Sequence, residues 1–344
     1  MTKLVRAAVL TNYLEVTNYL GFNPRDVLAA NGLSRAQLLA PEHRIPIDSA
    51  VRVLEESAVA SGCQSFGLSM AESRQLSDFG VVSLLLTHQR TLREALQVVV
   101  HYRHLMNDSL AIFIEEAGKM VIIREEVVTD TPMPSRQANE LAIGVMFRLC
   151  AALLGAHWHP YSVNFTHQPP DNLQLHRRLF GCTVEFGSEF NGIVCPNASL
   201  DVTNPHADPA MARYAQGYLD SLLSHEGESL LFEVRKAIYL LLPMGRATIE
   251  QIAQTQGMNV RTLQRRLKDD GCAFNDLINE VRRDLVLRYL ENPNYSLGRI
   301  ADMLGYSMAS SFTRWFITQF GMPPAAWRAQ KQGSAKSVPG HNES

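Results

Sequence analysis

Two stretches near the C-terminal end decide the reading: Thr248–Gly271, TIEQIAQTQGMNVRTLQRRLKDDG, and Ser296–Gly321, SLGRIADMLGYSMASSFTRWFITQFG. They are one pattern written twice. Ile252-Ala253 followed by Gly257 returns as Ile300-Ala301 followed by Gly305, and Leu263-x-Arg265-x-Leu267 returns as Phe312-x-Arg314-x-Phe316. Each copy holds the parts of a helix-turn-helix. Thr248 and Ser296 suit an N-cap, because their hydroxyls accept from the first unpaired backbone N–H groups. Ala253 and Ala301 are small where two helices cross. Gly257 and Gly305 can adopt the positive φ of a sharp turn. Leu263 and Phe312 point back to the core, which turns Arg265 and Arg314 outward. Between the copies, FNDLINEVRRDLVLRYLEN (274–292) carries Leu277, Ile278, Val281, Leu285, Tyr289 and Leu290 in one apolar stripe. It is a single helix joining the two units, ended by Asn292-Pro293.

Charge supports the same assignment. The 344-residue chain has a net charge of only -2. From Glu233 to Lys331, however, 14 Lys and Arg face 9 Asp and Glu, about +5, which leaves about -7 for the remainder. A basic segment joined to an acidic one points to nucleic-acid binding in one part and another task in the other. Hydrophobic residues make up 46%, enough for real cores. Cys63, Cys150, Cys182, Cys195 and Cys272 are odd in number and lack any C-x-x-C pair, so buried reduced thiols are expected. The N-terminus reads as an amphipathic helix and not a signal peptide. No apolar run approaches the roughly 20 residues of a membrane span. These features place the chain in the cytoplasm, away from membranes.

Ahead of the repeat the pattern is mixed. Asp48 is expected to cap a helix running to about Ala60, and Thr91 to begin another through Met106. SLAIFIEEAGKMVIIREEV (109–127) predicts a hairpin turning at 116–119. SRQANELAIGVMFRLCAALLG predicts a long helix closed by Gly155. YSVNFTH, GCTVEFG and NGIVCP predict strands, with a short helix in 171–180. Helices and hairpins in this order make an α+β N-terminal sensing domain over 1–208, not a doubly wound one. Pro196–Pro209 reads as its exit. Residues 209–232 read as a helical linker, with Met211, Tyr214, Ala215, Tyr218, Leu219 and Leu222 on one face that suits either internal packing or a dimer contact. The all-α C-terminal domain, two helix-turn-helix units joined by a linker helix, spans 233–331, and 332–344 reads as a disordered tail.

The C-terminal segment resembles the AraC/XylS family of bacterial regulators over about 85 residues, above all in GYSMASSFTRWFITQFGMPPAAWR. The resemblance implies binding to double-stranded DNA through both units in successive major grooves. Matched residue by residue, it places base reading on Arg261, Gln264 and Arg265 in the first unit, and on Ala309, Ser310, Thr313 and Arg314 in the second. Arg and Gln can contact guanine and adenine edges bidentately. Ala309 has no side-chain hydrogen bond to offer, and Ile317 stands where the family often has Lys, so the second unit should lean on phosphate and apolar contacts. The region from Phe22 to Asp208 is similar to the arabinose-binding-type domain of ornithine-utilisation-type regulators, through DFGVVSLLLTHQRTLREAL and RRLFGCTVEFGSEFNGIVCP. The resemblance implies a regulator, activator or repressor, that works as a homodimer, contacts RNA polymerase and responds to a small-molecule effector.

His88, His101, Tyr102, His104 and Arg136 are the polar candidates in the N-terminal part. His101 and His104 have the spacing of two metal ligands but no third, so no metal is expected. Arg136 reads as an exposed first-turn residue. There is no G-x-S-x-G, no phosphate loop and no other catalytic or cofactor motif, which argues against an enzyme domain fused to a DNA-binding module. A regulator without a small ligand, controlled by dimerisation or a protein partner, is the alternative; an apolar pocket with converging polar groups would favour the effector.

Overall fold

The computed structural model describes residues 2–222 and 229–335. The chain divides into two compact units at 227/228, and each is taken by itself.

The N-terminal unit opens with a two-stranded ribbon, β1 (Leu4–Arg6) against β2 (Arg44–Pro46). Its main sheet holds β3 (Leu110–Ala117), β4 (Met120–Val127), β5 (Ser162–Phe165), β6 (Thr183–Phe186) and β7 (Gly192–Pro196) in the order β3-β4-β7-β5-β6. All pairs are antiparallel except β5 with β6. Helix Gln174–Phe180 fills the crossover that a parallel pair requires. The hairpin pairs Ala117 with Met120, so Gly118 and Lys119 form a two-residue turn, with Gly118 at φ 64°. This is the α+β architecture expected, with the predicted hairpin and all three predicted strands.

Helix Arg136–Leu154 lies against the sheet and ends at Gly155. Its length and hydropathy would suit a membrane span, which the sequence reading did not foresee, yet it is the central helix of this unit. It packs on β4, β7 and helices Ile47–Ser61 and Phe66–Glu72. The crossing with Phe66–Glu72 is close because both helices present glycine. A Cβ on Gly67 would sit 2.0 Å from the Gln137 carbonyl oxygen, and one on Gly144 2.5 Å from the Ala71 Cβ. Val121, Ile123, Val163, Phe165, Ile193 and Cys195 supply the fully buried sheet face.

Four local expectations are corrected. Asp48 is not an N-cap: Pro46 holds that position, and Asp48 lies inside the first turn. Its carboxylate accepts from the Asp130 N–H (2.9 Å) and the Thr131 hydroxyl (2.6 Å), tying the helix to the loop after β4. The helix begun by Thr91 ends at His101, and Arg103–Met106 is a separate turn. Tyr102, at the break, is buried and donates to Asp220 (2.6 Å). The stretch 196–209 is not an exit. Asn204 donates to the carbonyls of Thr87 (2.8 Å) and Gln89 (2.9 Å), and Asp201 pairs with Arg93 (2.8 Å). The unit therefore continues through helix Pro209–Leu222, which packs on helix Val82–Thr87 with Leu219 fully buried. Finally, helix Pro324–Ala335 reaches four residues into the expected tail; the rest of that tail lies outside the described residues.

The C-terminal unit is helical throughout: Leu230–Leu241, Ile249–Thr255, Val260–Asp269, Phe274–Glu291, Leu297–Met303, Ala309–Phe320 and Pro324–Ala335.

Candidate nucleic-acid interface

The first helix-turn-helix is built as its sequence requires. The Thr248 hydroxyl accepts from the Gln251 N–H (3.3 Å) and caps helix Ile249–Thr255. Gly257 makes the turn at φ 62°. Asn259 caps helix Val260–Asp269 by accepting from the Thr262 N–H (2.8 Å). Only Leu263 and Leu267 of this second helix are buried. That spacing of four leaves Arg261, Gln264, Arg265, Arg266 and Lys268 exposed. Among the described residues Arg261, Gln264 and Arg265 make no side-chain hydrogen bond or ion pair. They form one open polar ridge.

The second copy repeats the geometry with different chemistry. Ser296 accepts from the Arg299 N–H (3.1 Å), and Gly305 turns at φ 75°. Helix Ala309–Phe320 buries Phe312 and Phe316. Its outward face shows Ala309, Ser310 and Arg314, with Thr313 half-buried and donating back to the Ala309 carbonyl (2.9 Å). Met308 (59% exposed) and Ile317 (40%) flank them, so this ridge is largely apolar around a single arginine.

One helix holds both turns. Phe274–Glu291 buries Leu277, Val281, Leu285, Val286, Tyr289 and Leu290. From this helix Arg282 donates to the Leu304 carbonyl (2.9 Å) and lies 4.4 Å from the centre of the Tyr306 ring, clamping the second turn. Asp284 accepts from the Tyr239 hydroxyl (2.8 Å) and from Arg288 (2.7 Å), which fixes helix Leu230–Leu241 on the other side. Beneath the second recognition helix Phe316 meets Phe320 at 4.5 Å, Phe312 at 6.0 Å and Trp327 at 6.5 Å between ring centres.

Comparison with known proteins matches residues 252–330 to a family described as "Helix-turn-helix domain" and residues 21–204 to the "Arabinose-binding domain of AraC transcription regulator, N-term". The HTH-type transcriptional regulator VirS of Mycobacterium tuberculosis is 30% identical over 95% of this chain and 96% of its own length. The chain belongs to the AraC family of transcription regulators. A further relative, the Ornithine utilization regulator of Pseudomonas aeruginosa, is 23% identical over 88% of this chain and 93% of that protein. Among solved structures, the transcriptional regulator CdpR of Pseudomonas aeruginosa aligns over 89% of this chain and 96% of that chain at 20% identity, with a TM-score of 0.44. Like the family, this regulator acts on DNA and is not an enzyme.

The polar candidates of the N-terminal unit fare differently. A cavity of about 120 Å³ opens there, and its lining includes none of His88, His101, Tyr102, His104 or Arg136. Arg136 is not an exposed first-turn residue: it is half-buried, pairs with Glu140 (3.3 Å) and donates to the Gln64 carbonyl (3.1 Å). His101 stacks edge-on against Tyr102 at 4.6 Å. Among the described residues no cluster of His, Cys, Asp and Glu is arranged to hold a metal ion. The polar groups that do line the cavity are Arg6, Arg74, Gln75, Asp78, Arg103, Asn107 and Glu125. For Glu125 the signal was in the strand itself. In a period-two strand Val121, Ile123 and Val127 share a face with Glu125, which puts a carboxyl group on the core side.

Proposed function

We propose that this regulator reads DNA through Arg261, Gln264 and Arg265 of the first recognition helix and through Ala309, Ser310, Thr313 and Arg314 of the second. The observation that carries the reading is the open ridge of unpaired Arg261, Gln264 and Arg265 at the N-terminal half of a helix whose own apolar residues are buried beneath it. Guanidinium and carboxamide groups held free of partners on a rigid helix can enter a major groove and meet base edges. Two such helices fixed by one linker helix read two segments about one helical turn, or roughly 10 bp, apart. Footprinting of the full chain on a selected operator is therefore expected to protect about 20 bp per protomer without internal symmetry. The fragment 228–335 is expected to keep the same base preference with weaker binding to tandem sites, since a second protomer's effective concentration is lost. A single short protected segment, or an altered preference in the fragment, contradicts the assignment.

The N-terminal unit acts as sensor for a small-molecule effector, and the apolar cavity with polar groups on its wall supports that over control by a protein partner alone. The effector acts by binding one state of the regulator better than the other. The regulator works as a homodimer in the cytoplasm and activates transcription by contacting RNA polymerase. On helix Pro209–Leu222 the expected apolar face divides: Leu219 and Ala215 pack inward, whereas Met211 (47% exposed), Tyr214 (76%) and Tyr218 (51%) stay open. Those three suit the dimer contact. Sedimentation of the chain with Met211, Tyr214 and Tyr218 changed to serine is expected to show a monomer where the wild type is a dimer. An unchanged dimer moves the contact elsewhere.

A further inference from the structure

The cavity of the N-terminal unit is walled by apolar side chains, among them Val51, Leu54, Val99, Ile112, Leu141 and Met146. At about 120 Å³ it is close to the size that holds a benzene ring, which leaves room for roughly six to ten non-hydrogen atoms. Two groups on its wall are unfinished. Glu125 is 2% exposed, and neither of its carboxyl oxygens has a hydrogen-bond partner. Arg74 is 7% exposed; two of its nitrogens donate to the carbonyls of Ala8 (3.0 Å) and Val9 (2.8 Å), Asp78 acts on its charge without a hydrogen bond between them, and Nε has no partner.

The other charged groups on the wall are spoken for. Arg6 is bonded to Glu42 and to the Leu105 carbonyl (3.0 Å), Asp78 accepts from the Gln75 N–H (2.9 Å), and Arg103 donates to the Val100 carbonyl (2.9 Å). Cys150 of the central helix also lies within electrostatic reach of Glu125. A buried carboxyl group without a donor is costly to keep. A native fold that keeps one on the wall of a cavity that also carries a guanidinium with a free Nε offers complementary groups to a guest.

We propose that this cavity binds a small zwitterionic amino acid, its ammonium group seated on Glu125 and its carboxylate turned toward Arg74. The inference rests on the sensing role assigned to the N-terminal unit, and it names that sensor's site and ligand class. A plain acid of the same length leaves Glu125 unpaired, and a plain amine leaves the Arg74 Nε without an acceptor, so a molecule with both ends is preferred to either. Burial pushes the Glu125 carboxyl well above the usual carboxylate range in the empty protein, which favours its neutral form. An ammonium group seated against it favours the ionised form, with the displaced proton passing to solvent.

The test is calorimetric titration of the full chain with two sets of probes: the L-α-amino acids, and the straight-chain series from 3-aminopropanoate to 8-aminooctanoate. The acid and the amine of matching length serve as one-headed controls. At least one amino acid is expected to bind roughly thirtyfold or more tightly than both of its controls. Titration in two buffers of different ionisation heat is expected to show proton release. Glu125→Gln, which keeps the shape, is expected to reduce that amino acid to the affinity of its plain acid and to abolish the proton release. Ala142→Phe fills the cavity with Glu125 intact and is expected to abolish binding, its fold being checked by urea midpoint. Equal binding of acid and amino acid, an unaffected Glu125→Gln variant, or no binding by any probe overturns the proposal. Operator affinity measured with and without the bound amino acid separates this from the sensing role. Binding that leaves operator affinity unchanged keeps the site and sinks its use as a sensor.

Discussion

Changing both Arg265 and Arg314 to alanine is expected to lower affinity for a selected operator by about 2–6 kcal/mol, since a bidentate base contact contributes roughly 1–3 kcal/mol. The two residues lie on different recognition helices and share no partner, so their effects should add. Neither side chain is needed for folding: both are exposed, and neither side chain makes a hydrogen bond or ion pair among the described residues. The measurement is a gel-shift titration at one fixed salt concentration, because phosphate contacts make affinity strongly salt-dependent. The double variant should unfold at the wild-type urea midpoint. Wild-type affinity in the double variant would sink the assignment of these helices as readers. A uniform loss across all sequences, with specificity retained, would make the two arginines phosphate contacts.

The second large effect concerns stability. Phe316 is fully buried and touches Phe312, Phe320 and Trp327, residues from its own helix and from the one after it. Phe316→Ala removes the centre of that cluster, and a buried Phe→Ala change costs about 3–5 kcal/mol. Total stability of a domain is commonly about 5–15 kcal/mol. The C-terminal unit should therefore unfold early in urea, seen through Trp315 and Trp327, and operator binding should fail with it. Phe316→Leu, which keeps most of the volume, should cost much less. An unchanged midpoint for Phe316→Ala would mean that the aromatic cluster is not what seats the second recognition helix.

How much was readable in advance depended on how local the causes were. In the C-terminal unit nearly every decisive feature acts within a few residues. Thr248, Asn259 and Ser296 cap the next helix, Gly257 and Gly305 turn it, and Leu263 and Leu267 orient it. The outward position of Arg265 follows from that spacing alone. The N-terminal unit is organised by distant partners. Asp48 looks like a cap by its neighbours, but Asp130 and Thr131, more than 80 residues on, claim its carboxylate. Tyr102 sits in an unbroken helical pattern, yet Asp220 holds it at a break. The cavity draws its wall from segments scattered between residues 6 and 146, and no local spacing announces such a set. The histidines stand out as chemistry-bearing residues, while the polar groups that line the cavity are Glu125 of a strand, three arginines, Asp78, Gln75 and Asn107.

The unequal surfaces of the two recognition helices carry a consequence for the DNA itself. The first presents three groups able to form directional bonds with bases. The second presents one arginine and the short Ser310 hydroxyl among Ala309, Met308 and Ile317. Directional bonds penalise every wrong base, whereas a methyl or thioether surface distinguishes chiefly the thymine methyl group. The half-site under Val260–Asp269 should hold most of an operator's information content, and the half-site under Ala309–Phe320 should drift. A promoter could gain or lose regulation by mutation at the first half-site, while the second would accumulate substitutions that only grade its strength.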